Sequence, residues 1–281
     1  MLRHGARYWM ILVAIGLIGG LLSGTFGVGG GIIMVPLLVA LAGMDQRRAA
    51  ATTLVAIVPA ATVGAVTYFA NGETDLVAGG FVAFGAVFGA VLGSILLRRL
   101  PLVWLRWMFI ALLVGVAVRM VLIVPVRGEQ LDLSWYVVVG YIVLGLVMGI
   151  ASGLFGIGGG VIAVPALIAV FGISDLIAKG TSLLVMIPTG IVGTIANVRN
   201  KLVDVRVGLV VGAAATAASA PGVALALILP AQLSSILFAA LLILAAVQLT
   251  IKAIRAQLKP KSDPKPEPTP EPMPGPDAPK E

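Results

Sequence analysis

Two stretches of this sequence could do chemistry, and they are nearly the same stretch. Residues 23–36 read SGTFGVGGGIIMVP and residues 152–165 read SGLFGIGGGVIAVP. Each sets an unbroken GGG between two apolar runs. Glycine permits a tight turn and leaves its N–H uncovered, and the apolar run after each GGG can start a helix. Those N–H groups then stand at the positive end of a helix dipole, which suits an anion. The candidate anion site comprises Ser23, Thr25, Gly27, Gly29, Gly30 and Gly31 with Ser152, Gly156, Gly158, Gly159 and Gly160. The likeness to a nucleotide-binding GxGxxG loop is superficial, because no strand precedes either run. Close helix packing is the competing use of glycine in an apolar chain. Gly85, Gly89 and Gly93, spaced by four, have that use; the duplication of an intact GGG favours a site.

Hydroxyls form the next group. Thr52 and Thr53, matched by Thr181 and Ser182, could offer them to a substrate from the start of a helix, and capping explains them equally well. Lys179 stands two residues before Thr181, where it could neutralise an anion or sit solvated in a loop. Asp75 and Asp204 read as N-caps, and Asn71 and Asn200 as turn or C-cap residues. No acidic cluster lies in mid-segment, which disfavours a proton pump or a carboxylate-driven cation exchanger. The chain has no Cys, and its one His is His4. Disulfides, thiolate metal sites, iron–sulfur clusters and a bis-histidine haem are therefore excluded. The expectation is no cofactor, no metal and no enzymatic activity.

The elements that must position these residues are membrane helices. Of 281 residues, 59% are hydrophobic and 11% charged, with a mean hydropathy of +1.10. Apolar stretches of about 18–25 residues recur, the length that crosses a hydrocarbon core ~30 Å thick. They are continuous instead of alternating, which disfavours an outer-membrane barrel. The net charge of +7 comes from Lys and Arg placed singly or in pairs between apolar segments, the pattern that orients helices, so nucleic acid is not an expected partner. The amino-terminal run resembles a signal peptide but continues directly into the first glycine motif, so it is expected to be retained.

Sliding the chain against itself by 129 residues brings more than the motif into register. Thr52, Pro59, Gly64, Asn71, Asp75, Gly79 and Pro101 fall on Thr181, Pro188, Gly193, Asn200, Asp204, Gly208 and Pro230 without a gap. The chain therefore reads as two copies of one unit. The expected elements are 8–27, 31–43, 49–70, 76–97 and 101–124, then 135–156, 160–172, 178–198, 205–228 and 230–254. The second of each set is short or broken. If all five change sides, Arg47, Arg48, Arg98, Arg99, Arg199, Lys201 and Arg206 fall on the cytoplasmic side with both termini; only Arg127 and Lys179 object. An odd number of crossings inverts the second unit. The expected fold is an all-α polytopic membrane protein of two inverted repeats, 1–128 and 129–258, followed by a disordered Pro-rich cytoplasmic tail, 259–281.

The doubled SG-x-FG-x-GGG-xxx-VP motif, with TTLVAIVP and TSLLVMIP after it, resembles the TauE/SafE family of membrane transporters, often described as sulfite exporters. The resemblance covers nearly the whole chain apart from the tail. It implies an inner-membrane permease for sulfite, an organosulfonate or a related sulfur oxyanion. It maps the family's motif onto Gly27 to Gly31, Gly156 to Gly160, Thr52, Thr53, Thr181 and Ser182. The expected function is a secondary transporter that exports a small anion by alternating access, the two halves rocking about a shared site. An anion channel and a permease for small carboxylates are the alternatives. The partners expected are the anion and the bilayer, and a homo-oligomer is compatible with the sequence.

Overall fold

The computed structural model describes residues 5–122 and 134–258, with backbone alone at 119–122, 252, 253 and 255–258. The boundary at 128/129, Arg127 and the tail 259–281 lie outside the described residues. Ten helices and no strand occur among those described: α1 Ala6–Phe26, α2 Gly31–Leu41, α3 Gln46–Ala70, α4 Leu76–Arg99, α5 Leu102–Leu122, α6 Trp135–Phe155, α7 Gly160–Phe171, α8 Asp175–Arg199, α9 Val205–Ile228 and α10 Ala231–Leu258. Seven of them are long and apolar enough to cross a membrane. Helices α2 and α7, of 11 and 12 residues, are too short to cross alone.

Local chemistry sets the breaks. Asp75 accepts from the N–H groups of Val77 and Ala78 at 2.9 Å, and Asp204 from that of Val207 at 3.2 Å, so both aspartates are the N-caps that the sequence indicates. Asp45 does the same for α3, accepting from the Arg47 and Arg48 N–H groups. Asn71 and Asn200 close α3 and α8. Helices α1 and α6 end on Gly27 and Gly156, both left-handed at φ 68° and 69°, each donating its N–H to the carbonyl four residues back, Ser23 or Ser152.

The large packing contacts cross between the two halves of the chain. Helix α1 packs on α9 and α6 on α4; α3 packs on α9 and α8, α8 on α4, and α5 on α10. The order across the molecule is thus α1, α9, α3, α8, α4, α6. Glycines make the outer two contacts backbone to backbone. A Cβ built at Gly85, Gly89 or Gly93 would lie 2.0, 2.2 or 2.3 Å from the carbonyl oxygens of Ile142, Leu146 and Ile150. One built at Gly16, Gly20 or Gly24 would meet those of Val211, Ala215 and Ser219 at 2.4, 2.0 and 2.1 Å. Residue numbers rise together along both contacts, so the paired helices are parallel. Helices α3 and α8 run in opposite directions: Gly64 meets Leu183 while Gly193 meets Leu54. The halves are interlaced, each outer pair joining a helix of one half to a helix of the other, with α3 and α8 meeting at the middle.

Candidate functional site

Between Phe26 and Gly31 the chain doubles back. A Cβ at Gly30 would lie 2.2 Å from the carbonyl oxygen of Gly19, which sits about two turns before the end of α1. The turn therefore returns α2 alongside α1. The second motif does likewise: a Cβ at Gly159 would lie 2.7 Å from the carbonyl oxygen of Met148. Gly30 and Gly159 are the N-caps of α2 and α7, left-handed at φ 68° and 83°, and neither helix receives a side-chain cap.

The two turns touch each other. A Cβ at Gly31 would lie 2.4 Å from the Gly156 carbonyl oxygen, and one at Gly160 would lie 2.5 Å from that of Gly27. Gly29 and Gly158 both face the Met186 sulfur, at 2.6 and 2.9 Å from a built Cβ, with Ile57 at 3.4 Å from each. Ile57 and Met186 occupy equivalent places in α3 and α8. The glycine runs, distant in sequence, thus form one centre on the α3/α8 seam, level with the middle of α3. All of Gly27 to Ile32 and Gly156 to Gly160 is buried.

Burial matters because of what these turns lack. No protein group among the described residues accepts a hydrogen bond from the main-chain N–H of Val28 to Ile32 or of Ile157 to Val161. Unpaired N–H groups at a helix start are ordinarily served by solvent or a cap; these are buried, and no side chain caps them. Ser23 and Ser152, at equivalent positions one turn before the glycines, are 0% exposed and their hydroxyls also lack partners. Two of the carbonyls in these turns are already used: Thr53 donates to the Gly156 oxygen at 2.8 Å and Ser182 donates to that of Gly27. The centre therefore offers spare donors.

Four hydroxyls expected to face a substrate make hydrogen bonds within the protein. Thr53 and Ser182 latch α3 and α8 to the opposite glycine turn. Thr52 and Thr181 accept from the N–H groups of Asp204 and Asp75 at 3.1 and 2.9 Å, tying each helix to the start of α9 or α4. Thr25 also turns away, sharing its proton between the carbonyl oxygens of Leu21 and Gly222 at 2.9 and 3.1 Å. All five thus tie one element of the protein to another. Capping logic in the sequence pointed at the ends of α3 and α8, but not at bonds between halves. Removing the latch hydroxyls, as Thr53→Val or Ser182→Ala, is expected to cost about 1 kcal/mol each, because a buried carbonyl loses its donor. Thermal unfolding in detergent checks this, with the double variant the less stable.

Lys179 is neither in a loop nor solvated. It lies in α8, 2% exposed, with its ammonium 2.6 Å from an Asp175 carboxylate oxygen and 2.8 Å from the Ser234 hydroxyl. A buried, paired Lys carries no weight as a loop charge, which removes its objection to the five-element topology. Met186 and Ile57 escaped the sequence reading, because an apolar residue in an apolar helix gives no signal until its partner is known.

Seven helices long and apolar enough to cross a membrane, two short helices folded back at glycine turns and a buried donor-rich centre mark a polytopic membrane protein, with the broken helices seen in solute transporters. The family model described as sulfite exporter TauE/SafE matches residues 2–120 and 141–276. The chain belongs to that family of membrane transporters. Relatives carry the same description of class. A probable membrane transporter protein of Xylella fastidiosa is 30% identical over 205 residues, covering 69% of this chain and 76% of its own. Two from Bacillus subtilis, the probable membrane transporter proteins YdhB and YunE, are 26% and 25% identical. They cover 69% and 67% of this chain, and 81% and 78% of their own lengths.

Proposed function

We propose that the protein is a secondary transporter of a small sulfur oxyanion, sulfite or an organosulfonate, held by the main-chain donors of the two glycine turns. The observation that carries this reading is the set of buried, unpaired N–H groups at Val28 to Ile32 and Ile157 to Val161, converging from two helix starts on one centre. Leaving such a group unserved costs about 1–3 kcal/mol. An anion rich in acceptors relieves many at once, and the two helix dipoles favour its charge. The family description supports sulfite as the first anion to try.

In this reading residues 1–128 and 129–258 are inverted repeats, both termini are cytoplasmic in the plasma membrane, and 259–281 is an accessory tail. The turns are in contact in this conformer, which we take as the closed one. Access alternates as the α3/α8 seam opens toward one face and then the other, carrying α1 with α9 and α6 with α4. The test is flux in proteoliposomes across sulfite, sulfate, thiosulfate, methanesulfonate, acetate and phosphate. Saturable uptake with counterflow for a sulfur oxyanion is expected. Conductance at channel rates contradicts the carrier, and preference for acetate or phosphate contradicts the substrate class.

A further inference from the structure

The two copies differ at one place that the transport cycle must use. Lys179 sits against the first glycine turn: a Cβ at Gly27 would lie 2.6 Å from the Lys179 Cα. At the equivalent place against the second turn stands Ala50, whose carbonyl oxygen would lie 2.1 Å from a Cβ at Gly156. The partners of Lys179 differ as well. Asp175 corresponds to Gln46 and Ser234 to Leu105. One face of the centre therefore has a buried ammonium with its counter-ion and a hydroxyl. The other has an alanine, an amide and a leucine.

The geometry around Lys179 leaves donors to spare. Its ammonium carries three N–H groups, of which Asp175 and Ser234 take two. Ser234, 1% exposed, accepts from Lys179 and donates to no protein group among the described residues. Asp175 lines a pocket of about 310 Å³ with Glu73, Ser174, Leu229 and Pro230, at the face where α3 ends and α8 begins. The Asp175 side chain is 12% exposed and that of Lys179 is 3%, so the carboxylate stands between the pocket and the ammonium. Among the described residues Lys179 is the one charged side chain that is fully buried. An ionisable group within a membrane segment is costly and marks function by default.

We propose that Lys179, with Ser234, is the docking group for the transported anion at one face only, Asp175 holding the ammonium between visits. The inference rests on the anion-transport reading above. An oxyanion arriving from the pocket takes the free Lys179 N–H and the Ser234 proton, then passes to the glycine turn that Lys179 touches. Glu73 on the same pocket opposes a long stay, so the station is a waypoint. The opposite face, with Ala50, Leu105 and the buried, unpartnered amide of Gln46, has a neutral donor but no charge. The apparent affinity for the anion must then differ between faces.

The experiment measures the KM for sulfite from each face, in right-side-out and inside-out membrane vesicles, for the wild type and for Lys179→Ala with Asp175→Gln. The double variant gives the second copy the residues of the first and leaves no unpaired charge. The wild type is expected to show a KM about tenfold lower at the Lys179 face. In the double variant that KM rises about tenfold, the opposite face is unchanged and the difference disappears. Asp175→Asn alone, which removes the competing carboxylate, lowers the KM at that face. A variant that transports with both KM values as in the wild type overturns the docking role and leaves anion transport standing, as does a merely structural loss that lowers kcat equally for both faces. Absence of sulfite and sulfonate flux in the wild type overturns both readings.

Discussion

Gly31→Ala and Gly160→Ala each reduce anion flux about 100-fold or more while the protein still inserts and folds. Both positions accept any residue as far as backbone angles go, since neither has positive φ. The obstacle is space. The new Cβ at position 31 would sit 2.4 Å from the Gly156 carbonyl oxygen and 2.6 Å from the Ile157 Cα. At position 160 it would meet the Gly27 oxygen at 2.5 Å and the Val28 Cα at 2.8 Å. These are main-chain atoms of the opposing turn and cannot swing aside. The methyl therefore stands between the turns, where the anion must reach their N–H groups, and misplacing a bound group by the order of 1 Å costs roughly 100-fold. The overpacking costs only ~1–3 kcal/mol in stability, which a protein of this size tolerates. Proteoliposome flux, with size-exclusion chromatography of the purified variants, checks the outcome. Gly115→Ala on α5, where a Cβ meets nothing within 4 Å, is the control and is expected to transport normally.

The second large effect is on folding. Gly89→Val is expected to abolish recovery of monodisperse protein. Its Cβ would lie 2.2 Å from the Leu146 carbonyl oxygen, 2.9 Å from the Ile150 nitrogen and 3.0 Å from the Gly149 Cα. Helices α4 and α6 are in contact along three such glycines from each side, with Gly145, Gly149 and Gly153 facing the carbonyls of Val82, Ala86 and Ala90 at 2.0, 2.1 and 2.5 Å. Inside a bilayer, close van der Waals approach replaces the hydrophobic effect as the force between helices. Forcing the pair apart forfeits those contacts along the whole crossing, at a cost of about 3 kcal/mol or more. Gly149→Val meets the Ala86 oxygen at 2.1 Å and is expected to fail alike. Expression as a fluorescent fusion followed by size exclusion is the measurement.

The contrast between these glycines shows what was legible in the sequence. Period and length placed all ten helices within a few residues, because a bilayer fixes helix length and Asp75, Asp204, Gly27 and Gly156 punctuate the chain. Spacing by four identified the packing role of Gly85, Gly89 and Gly93. The repeated GGG marked the centre. What escaped was everything that depends on which helix meets which. Thr53 and Ser182 carry hydroxyls that suit a substrate as well as a carbonyl, and only the arrival of Gly156 and Gly27 from the other half decides between them. Lys179 looked like a loop charge because Asp175 is one turn away on the same helix while Ser234 lies 55 residues on. The interlacing of the halves left no local trace, since α9 and α4 are apolar on every face away from their ends, apart from a few small hydroxyls.

The most direct measurement is the anomalous difference map of crystals grown with selenite, a heavier oxyanion of the same shape as sulfite. The account predicts a selenium peak whose oxygens lie ~2.7–3.2 Å from main-chain nitrogens of both turns, between Val28 and Ile32 and between Ile157 and Val161, with the turns moved apart. A peak elsewhere, or turns still in contact in protein that demonstrably transports selenite, would contradict it.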